Sequence, residues 1–212
     1  MTLVIGLDTG GTYTDAALLD TATGTVRATG KSLTTRDDLS IGVGSAIRRV
    51  LEDFDGSAAD ISLVSLSTTL ATNAVVEGVG GRVGLLMIGF DETSLQRADL
   101  ARALGQDPVF FINGGHAADG APQAKLDETA IREAVNETEG EVSAYAVAGH
   151  FATRNPARES RTRDLLRDLT GAPVTCSHEL SSSLGGPRRA LTAVLNARLI
   201  NLLDRLVAAT EE

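Results

Sequence analysis

Apolar residues change their spacing several times along the 212-residue chain, and each change marks an element. Residues 3–7 read as a buried strand, and beyond the Gly10-Gly11 turn residues 13–19 read as a second. The turn in "DTATG" leads to a third strand near 25–33, so the chain opens as a three-stranded meander. A helical period follows, with Ile41, Val43, Ile47, Val50, Leu51 and Phe54 on one side and Asp37, Asp38 or Ser40 available as the cap. Next come a strand over 61–67, a short helix over "TTLATNAVVEG" closed by Gly78, and a strand over 82–90.

Beyond residue 91 "DETSLQRADLARALG" reads as helical and "PVFFI" as extended, while 113–125 is a Gly/Ala loop without periodicity. A helix at 127–139, a strand at 142–148, a helix at 155–169 with Pro156 in its first turn and a short strand in "PVTCS" complete the alternation. The last helix, about 187–209, carries Leu191, Val194, Leu195, Leu199, Leu202, Leu203, Leu206 and Val207 as a broad stripe. Strands first in a meander and then alternating with helices predict an α/β layered fold with a mixed sheet. Its divisions are expected at 1–90, 91–186 and 187–212.

Composition narrows the function. A net charge of −9 and no basic stripe argue against a nucleic-acid partner, since nothing would replace phosphate counterions. Arg158, Arg161, Arg163 and Arg167 recur at helical spacing among acidic residues and read as a solvated helix face. Cys176 is the single cysteine, so an intramolecular disulfide is impossible, and it reads as a small core residue. Asp8 interrupts the first apolar run, and no apolar stretch approaches the roughly 20 residues of a membrane span. A cytoplasmic protein is therefore expected.

The chemistry concentrates in "IGLDTGGTYTD". A four-residue loop over 9–12 would set Asp8 opposite Tyr13 and Gly6 opposite Asp15, leaving Asp8 and Asp15 on one face. Gly10 and Gly11 would let backbone N–H groups line a concavity, and Thr9, Thr12 and Thr14 could add hydroxyls. Carboxylates beside a phosphate need a divalent cation, for which Mg²⁺ has the right preference for oxygen ligands. An ordinary hairpin turn is the alternative reading of the same residues. Thr68, Thr69 and Asn73 lie at a strand end and the following helical turns, where they could face an anion or simply cap the helix. His116, in a loop without a second imidazole or thiolate, and the adjacent His178 and Glu179 are weaker candidates for substrate contact, and only one of the last two can point inward from a strand.

"DTGGTYTD" resembles the first phosphate motif of the actin, sugar-kinase and Hsp70 ATPase superfamily. Most branches carry Lys or Arg where this chain has Asp15; the hydantoinase/oxoprolinase A family instead reads D-T-G-G-T-F-T-D. "STTLATNAVVEGVGGRVGLL", "NGGHAADG", "FATRNPARE" and "SHELSSSLGGPRRALTAVLNARLI" are collinear with further blocks of that family, so the resemblance runs from residue 3 to about 207. It implies a ribonuclease-H-like (actin-like ATPase) mixed sheet flanked by helices, with a smaller α/β insertion or subdomain. It also implies use of ATP and Mg²⁺ to open cyclic amides such as 5-oxoproline, hydantoins or lactams, or to activate a ketone for carboxylation. Asp8 and Asp15 would hold the metal; Gly10, Gly11 and Thr12 would contact the phosphates, with Thr68, Thr69 and Asn73 as a supporting wall.

Relatives of this family are two to three times longer, so a second lobe and a hydantoinase B-type subunit are the expected partners. The isolated chain should be nearly inactive, and the last helix could mediate a homodimer. A non-catalytic nucleotide-binding or regulatory module and a small-molecule kinase fragment are the alternative readings; Asp15 weighs against the kinase.

Overall fold

A computed structural model describes residues 2–35, 38–68 and 80–211. Its contacts divide the chain into two compact units, 1–79 with 202–212, and 80–201. This boundary differs from the divisions expected at 90/91 and 186/187, and strand pairing gives the reason. Strand β5 (Val83–Ile88) pairs with later strands and not with the opening meander.

The first unit carries a four-stranded sheet in the order β3-β2-β1-β4, formed by β1 (Leu3–Thr9), β2 (Tyr13–Asp20), β3 (Thr25–Leu33) and β4 (Ile61–Thr68). The first three are antiparallel neighbours, and β4 joins β1 in parallel. Along β1 and β2 burial alternates strictly, so each strand has one face in the core and one open. Helix α1 (Leu39–Glu52), capped by the Asp38 carboxylate on Ser40 N–H, covers the core face with Leu39, Val43, Ala46 and Val50. Gly30 makes that contact close: a Cβ there would lie 2.3 Å from the Ala46 carbonyl oxygen.

The second unit holds an all-parallel sheet in the order β6-β5-β7-β8, with β6 (Val109–Ile112), β7 (Ala144–Gly149) and β8 (Val174–Cys176). Strands β5 and β7 are buried at every position because both faces are covered. Helix α2 (Leu100–Leu104) and the start of α6 (Gly186–Glu211) pack on one face; α3 (Glu128–Glu137) and α4 (Ala157–Thr170) pack on the other.

Two expectations are corrected here. Residues 91–105 are not one helix but a 3₁₀ turn, Glu92–Gln96, then α2, separated by left-handed Ala98 and Asp99. Asp91 accepts from both the N–H and the hydroxyl of Thr93, a local bond that competes with helix propagation. Over the described part of α6 the fully buried positions are Ala190, Ala193, Val194 and Ala197, while Leu191, Leu195 and Leu199 are half-buried, because small side chains let the helix lie close to the sheet; the side chains of Leu202, Leu206 and Val207 lie outside the described residues. The helix expected over "TTLATNAVVEG" lies outside the described residues. Among the described residues no helix is long and apolar enough to cross a membrane.

Candidate functional site

On the open face of the first sheet, Asp8 lies directly opposite Asp15, and Gly6 opposite Ala17. The register is two residues further along than a loop over 9–12 requires, and a shift of two preserves the face. Cross-strand neighbours bring Cβ atoms to about 4.5–5.5 Å, a distance at which two carboxylates repel. Lys31, opposite Asp15 on β3, relieves part of that repulsion with an ion pair of 2.9 Å while lying 4.6 Å over the Tyr13 ring. Ser67 pairs with Asp8 from β4. One polar row, Lys31, Asp15, Asp8 and Ser67, thus crosses all four strands at the end where the glycine turn stands. The adjoining row is small, with Thr29, Ala17, Gly6 and Ser65, and a Cβ on Gly6 would meet nothing within 4 Å.

The turn itself is half-exposed at Gly10 and Gly11 and open at Thr12. Gly10 N–H is consumed by the Tyr13 carbonyl at 3.0 Å, and Thr34 braces the loop through its N–H to Thr12 O and its hydroxyl to Gly10 O. Neither glycine takes a left-handed φ. Among the described residues, Gly11 and Thr12 N–H have no hydrogen-bond acceptor. Thr9 and Thr14 lie on the opposite, buried face, where Thr14 Oγ1 meets Thr34 Oγ1 at 3.1 Å; strand alternation removes their hydroxyls from the carboxylate face. Thr68 closes β4 beside Thr9, and Thr69 and Asn73 lie outside the described residues.

In the second unit, three stretches singled out in the sequence converge at the carboxyl edge of the parallel sheet. His116 is buried, its N–H donating to the His150 carbonyl. Burial, and secondarily the Arg158 charge, lower the His116 pKa. The Arg face is therefore not wholly solvated: Arg158 reaches the Ala124 carbonyl, whereas Arg161 and Arg163 pair outward with Glu128 and Glu179. His178 and Glu179 occupy a helical turn, α5 (Ser177–Leu180), and only His178 points inward.

The partner of His178 was not legible as a site residue. Glu159 is fully buried and its carboxylate accepts from Gly149 N–H, from Ser177 Oγ at 2.6 Å, and from His178 N–H at 3.0 Å and Nδ1 at 2.6 Å. Arg189, also buried, donates to Ser177 Oγ and to the Gly149 carbonyl. Glu159, Cys176 and His178 bring potential metal ligands within 4.8 Å of one another. The carboxylate is already saturated by donors, and burial pushes the Cys176 thiol up to about 12, so this trio is built as a neutralised structural network. Its only advance signal was Glu159 in the Asn-Pro-Ala-x-Glu stretch.

Residues 4–170 match the model of the hydantoinase/oxoprolinase N-terminal region. The chain belongs to this family. Among its members, the caprolactamase alpha subunit of Pseudomonas jessenii is 29% identical over 96% of the chain. The acetophenone carboxylase gamma subunit of Aromatoleum aromaticum is 28% identical over 97%. The chain spans about a third of the length of each, 32% in both cases. The crystal structure of the ATP-dependent caprolactamase from Pseudomonas jessenii superposes with a TM-score of 0.75 at 29% identity, covering 98% of this chain and 33% of that one. Nucleotide-free acetone carboxylase gives 0.72 at 19% identity over 99% of this chain and 34% of that one, a likeness of fold.

Proposed function

We propose that the chain is the amino-terminal part of an ATP-dependent enzyme that activates a cyclic amide, and that the open-face row around Asp8 and Asp15 receives the terminal phosphates of Mg-ATP. One observation carries the reading: two carboxylates stand side by side, exposed, on a sheet face floored by Gly6 and Ala17, next to a glycine turn. A fold has no stabilising use for that pair, since like charges directly opposite cost free energy.

The residues fit a hard cation, because both offer only carboxylate oxygens and both are accessible. Asp8 is the main ligand in this reading, as Lys31 already holds Asp15. Bound Mg²⁺ would supply charge neutralisation for the phosphates. Gly11 and Thr12 N–H would orient a phosphate oxygen, and the small side chains around Gly6 would leave space for it. Thr9 and Thr14 instead shape the hairpin from below. Thr68, Thr69 and Asn73 remain in the proposal as the wall on the β4 side.

The chemistry suits an unreactive carbonyl. Its oxygen would take the γ-phosphoryl group as ADP leaves; one water would then add to the carbon and the ring C–N bond would break, a proton going to the amine, to leave an acyl phosphate that a second water would hydrolyse to carboxylate and inorganic phosphate. Positioning and charge compensation account for most catalysis in phosphoryl transfer. The greater length of the relatives supports a further lobe, and their naming as alpha and gamma subunits supports a second subunit as a partner.

Calorimetric titration of the chain with ATP tests the site. Binding should require Mg²⁺ and weaken at least about tenfold in Asp8→Asn, the loss of one charge-assisted contact. Equal binding by wild type and variant would overturn the reading. Mg-ATP binding without lactam-dependent phosphate release, once the remaining part of the protein is supplied, would favour a non-catalytic module.

A further inference from the structure

An open cleft of about 500 Å³ lies at the carboxyl ends of β5 and β6, lined by Gly89, Phe90, Phe111, Asn113, Gly114 and Gln123 among others. We infer that this cleft holds the cyclic amide, pairing its C=O and N–H with the carboxamides of Asn113 and Gln123 and its methylenes with Phe90 and Phe111. The inference rests on the proposed activity toward cyclic amides, but its location and chemistry are argued independently.

The chain leaves β5 toward α2 on one face of the sheet and leaves β6 toward α3 on the other. The loops part there, which is where open parallel sheets form ligand crevices. Backbone bonds fix the rims: Gly89 N–H donates to Ile112 O, and Gln123 N–H to Gly115 O. Gly114 adopts φ +151°, and a Cβ on it would stand 2.8 Å from Ile88 Cγ2. Gly89, at φ +76°, would put a Cβ 3.1 Å from the Gly114 carbonyl oxygen. The two turns therefore approach through backbone alone.

The lining then selects the ligand. It contains no Lys, Arg or His, so a phosphate has nothing cationic to meet. The single charged group, Asp91, is occupied by Thr93 N–H and hydroxyl at 3.0 and 2.5 Å. What remains polar is neutral: the Asn113 and Gln123 side chains are exposed and, among the described residues, make no hydrogen bond. A carboxamide presents C=O and N–H on one edge. A small-ring lactam, whose amide is held cis, presents the same edge in complementary order, so two parallel hydrogen bonds form at once. An open-chain trans amide, with C=O and N–H on opposite sides, forms only one with a given carboxamide. Aromatic walls with a few placed polar groups are the usual make-up of a small-molecule pocket.

The test uses the whole chain and ε-caprolactam, followed by the side-chain amide resonances of Asn113 and Gln123. Both should shift and saturate with caprolactam and shift far less with N-methylcaprolactam, which keeps the C=O but lacks the N–H. In Asn113→Leu/Gln123→Leu, two exposed substitutions, the affinity for caprolactam, read from the backbone amide shifts of Gly89 and Gly114 in both proteins, should fall about tenfold or more. Equal shifts with both compounds, no shift with caprolactam, or unchanged affinity in the double variant would each overturn the assignment. Asp8→Asn separates the two sites: it should weaken Mg-ATP binding at least about tenfold and leave the caprolactam shifts intact. Absent caprolactam shifts beside intact Mg-ATP binding would remove this inference alone.

Discussion

Glu159 and Arg189 hold Gly149 from both sides of its peptide units: the Gly149 N–H donates to Glu159 Oε1, and its carbonyl accepts from Arg189 Nη2 at 2.8 Å. Neither charged group is exposed, and Ser177 Oγ bridges them, donating to Glu159 and accepting from Arg189 Nε at 3.2 Å. The end of β7, the start of α4, α5 and the first turn of α6 are thereby tied to one point. Burial lowers the Arg189 pKa while the Glu159 charge opposes that shift, the balance expected of compensated buried ions.

Glu159→Ala should consequently cost about 3–5 kcal/mol, because it leaves a buried guanidinium without its counter-charge. Urea unfolding followed by circular dichroism measures this. Glu159→Ala combined with Arg189→Met should be less destabilised than the sum of the two single changes. Additive effects would show that the two charges do not compensate each other.

Much of this architecture was legible in the sequence. Strand alternation set Asp8 and Asp15 on one face even though the pairing itself was misjudged by two residues, since parity alone decides the face. That parity also buried Thr9 and Thr14, which the hydroxyl-rich appearance of the motif concealed. Lys31 escaped notice because its pairing with Asp15 comes from a different strand, sixteen positions away. Glu159 and Arg189 escaped for a related reason: charged residues on helices read as surface until tertiary packing buries them. The alanine stripe of α6 was masked by leucines that stand out more in a periodicity count.

Lys31→Met should change stability by less than about 1 kcal/mol, as exposed ion pairs contribute little. Its effect on ions should be larger. Removing the ammonium frees Asp15 beside Asp8, so Mn²⁺, monitored by water-proton relaxation, should bind several-fold more tightly than in the wild type, and added salt should diminish the gain. Weaker Mn²⁺ binding would mean that the carboxylate pair does not act as the cation site.

Acid should weaken the second unit through two histidines. Burial is the main cause lowering the pKa of both His116 and His150, with Arg158 and Arg189 adding to it respectively. Each side chain binds its proton more readily in the unfolded chain, where the value is near 6.5. Stability is thus fully retained above that pH and is lost as pH falls through it toward the lower folded values. Urea midpoints measured from pH 8 to pH 5, values chosen as roughly spanning the histidine range, should decline below about 6.5. The decline should be shallower in His150→Phe.

Cys176 should behave as an inert core thiol. It is fully buried, donates weakly to the Glu159 carbonyl at 3.6 Å, and has a pKa raised to about 12, first by burial and then by the nearby Glu159 charge. Thiolate is the reactive species, so at neutral pH the folded protein should scarcely react with Ellman's reagent, whereas the urea-unfolded chain should react fully. Under native conditions the slow residual reaction requires opening of the β8 edge, and its rate should rise in Glu159→Ala, which loosens the same corner. Rapid stoichiometric labelling of the folded wild type would contradict both the buried placement of the thiol and the role given to the Glu159 network.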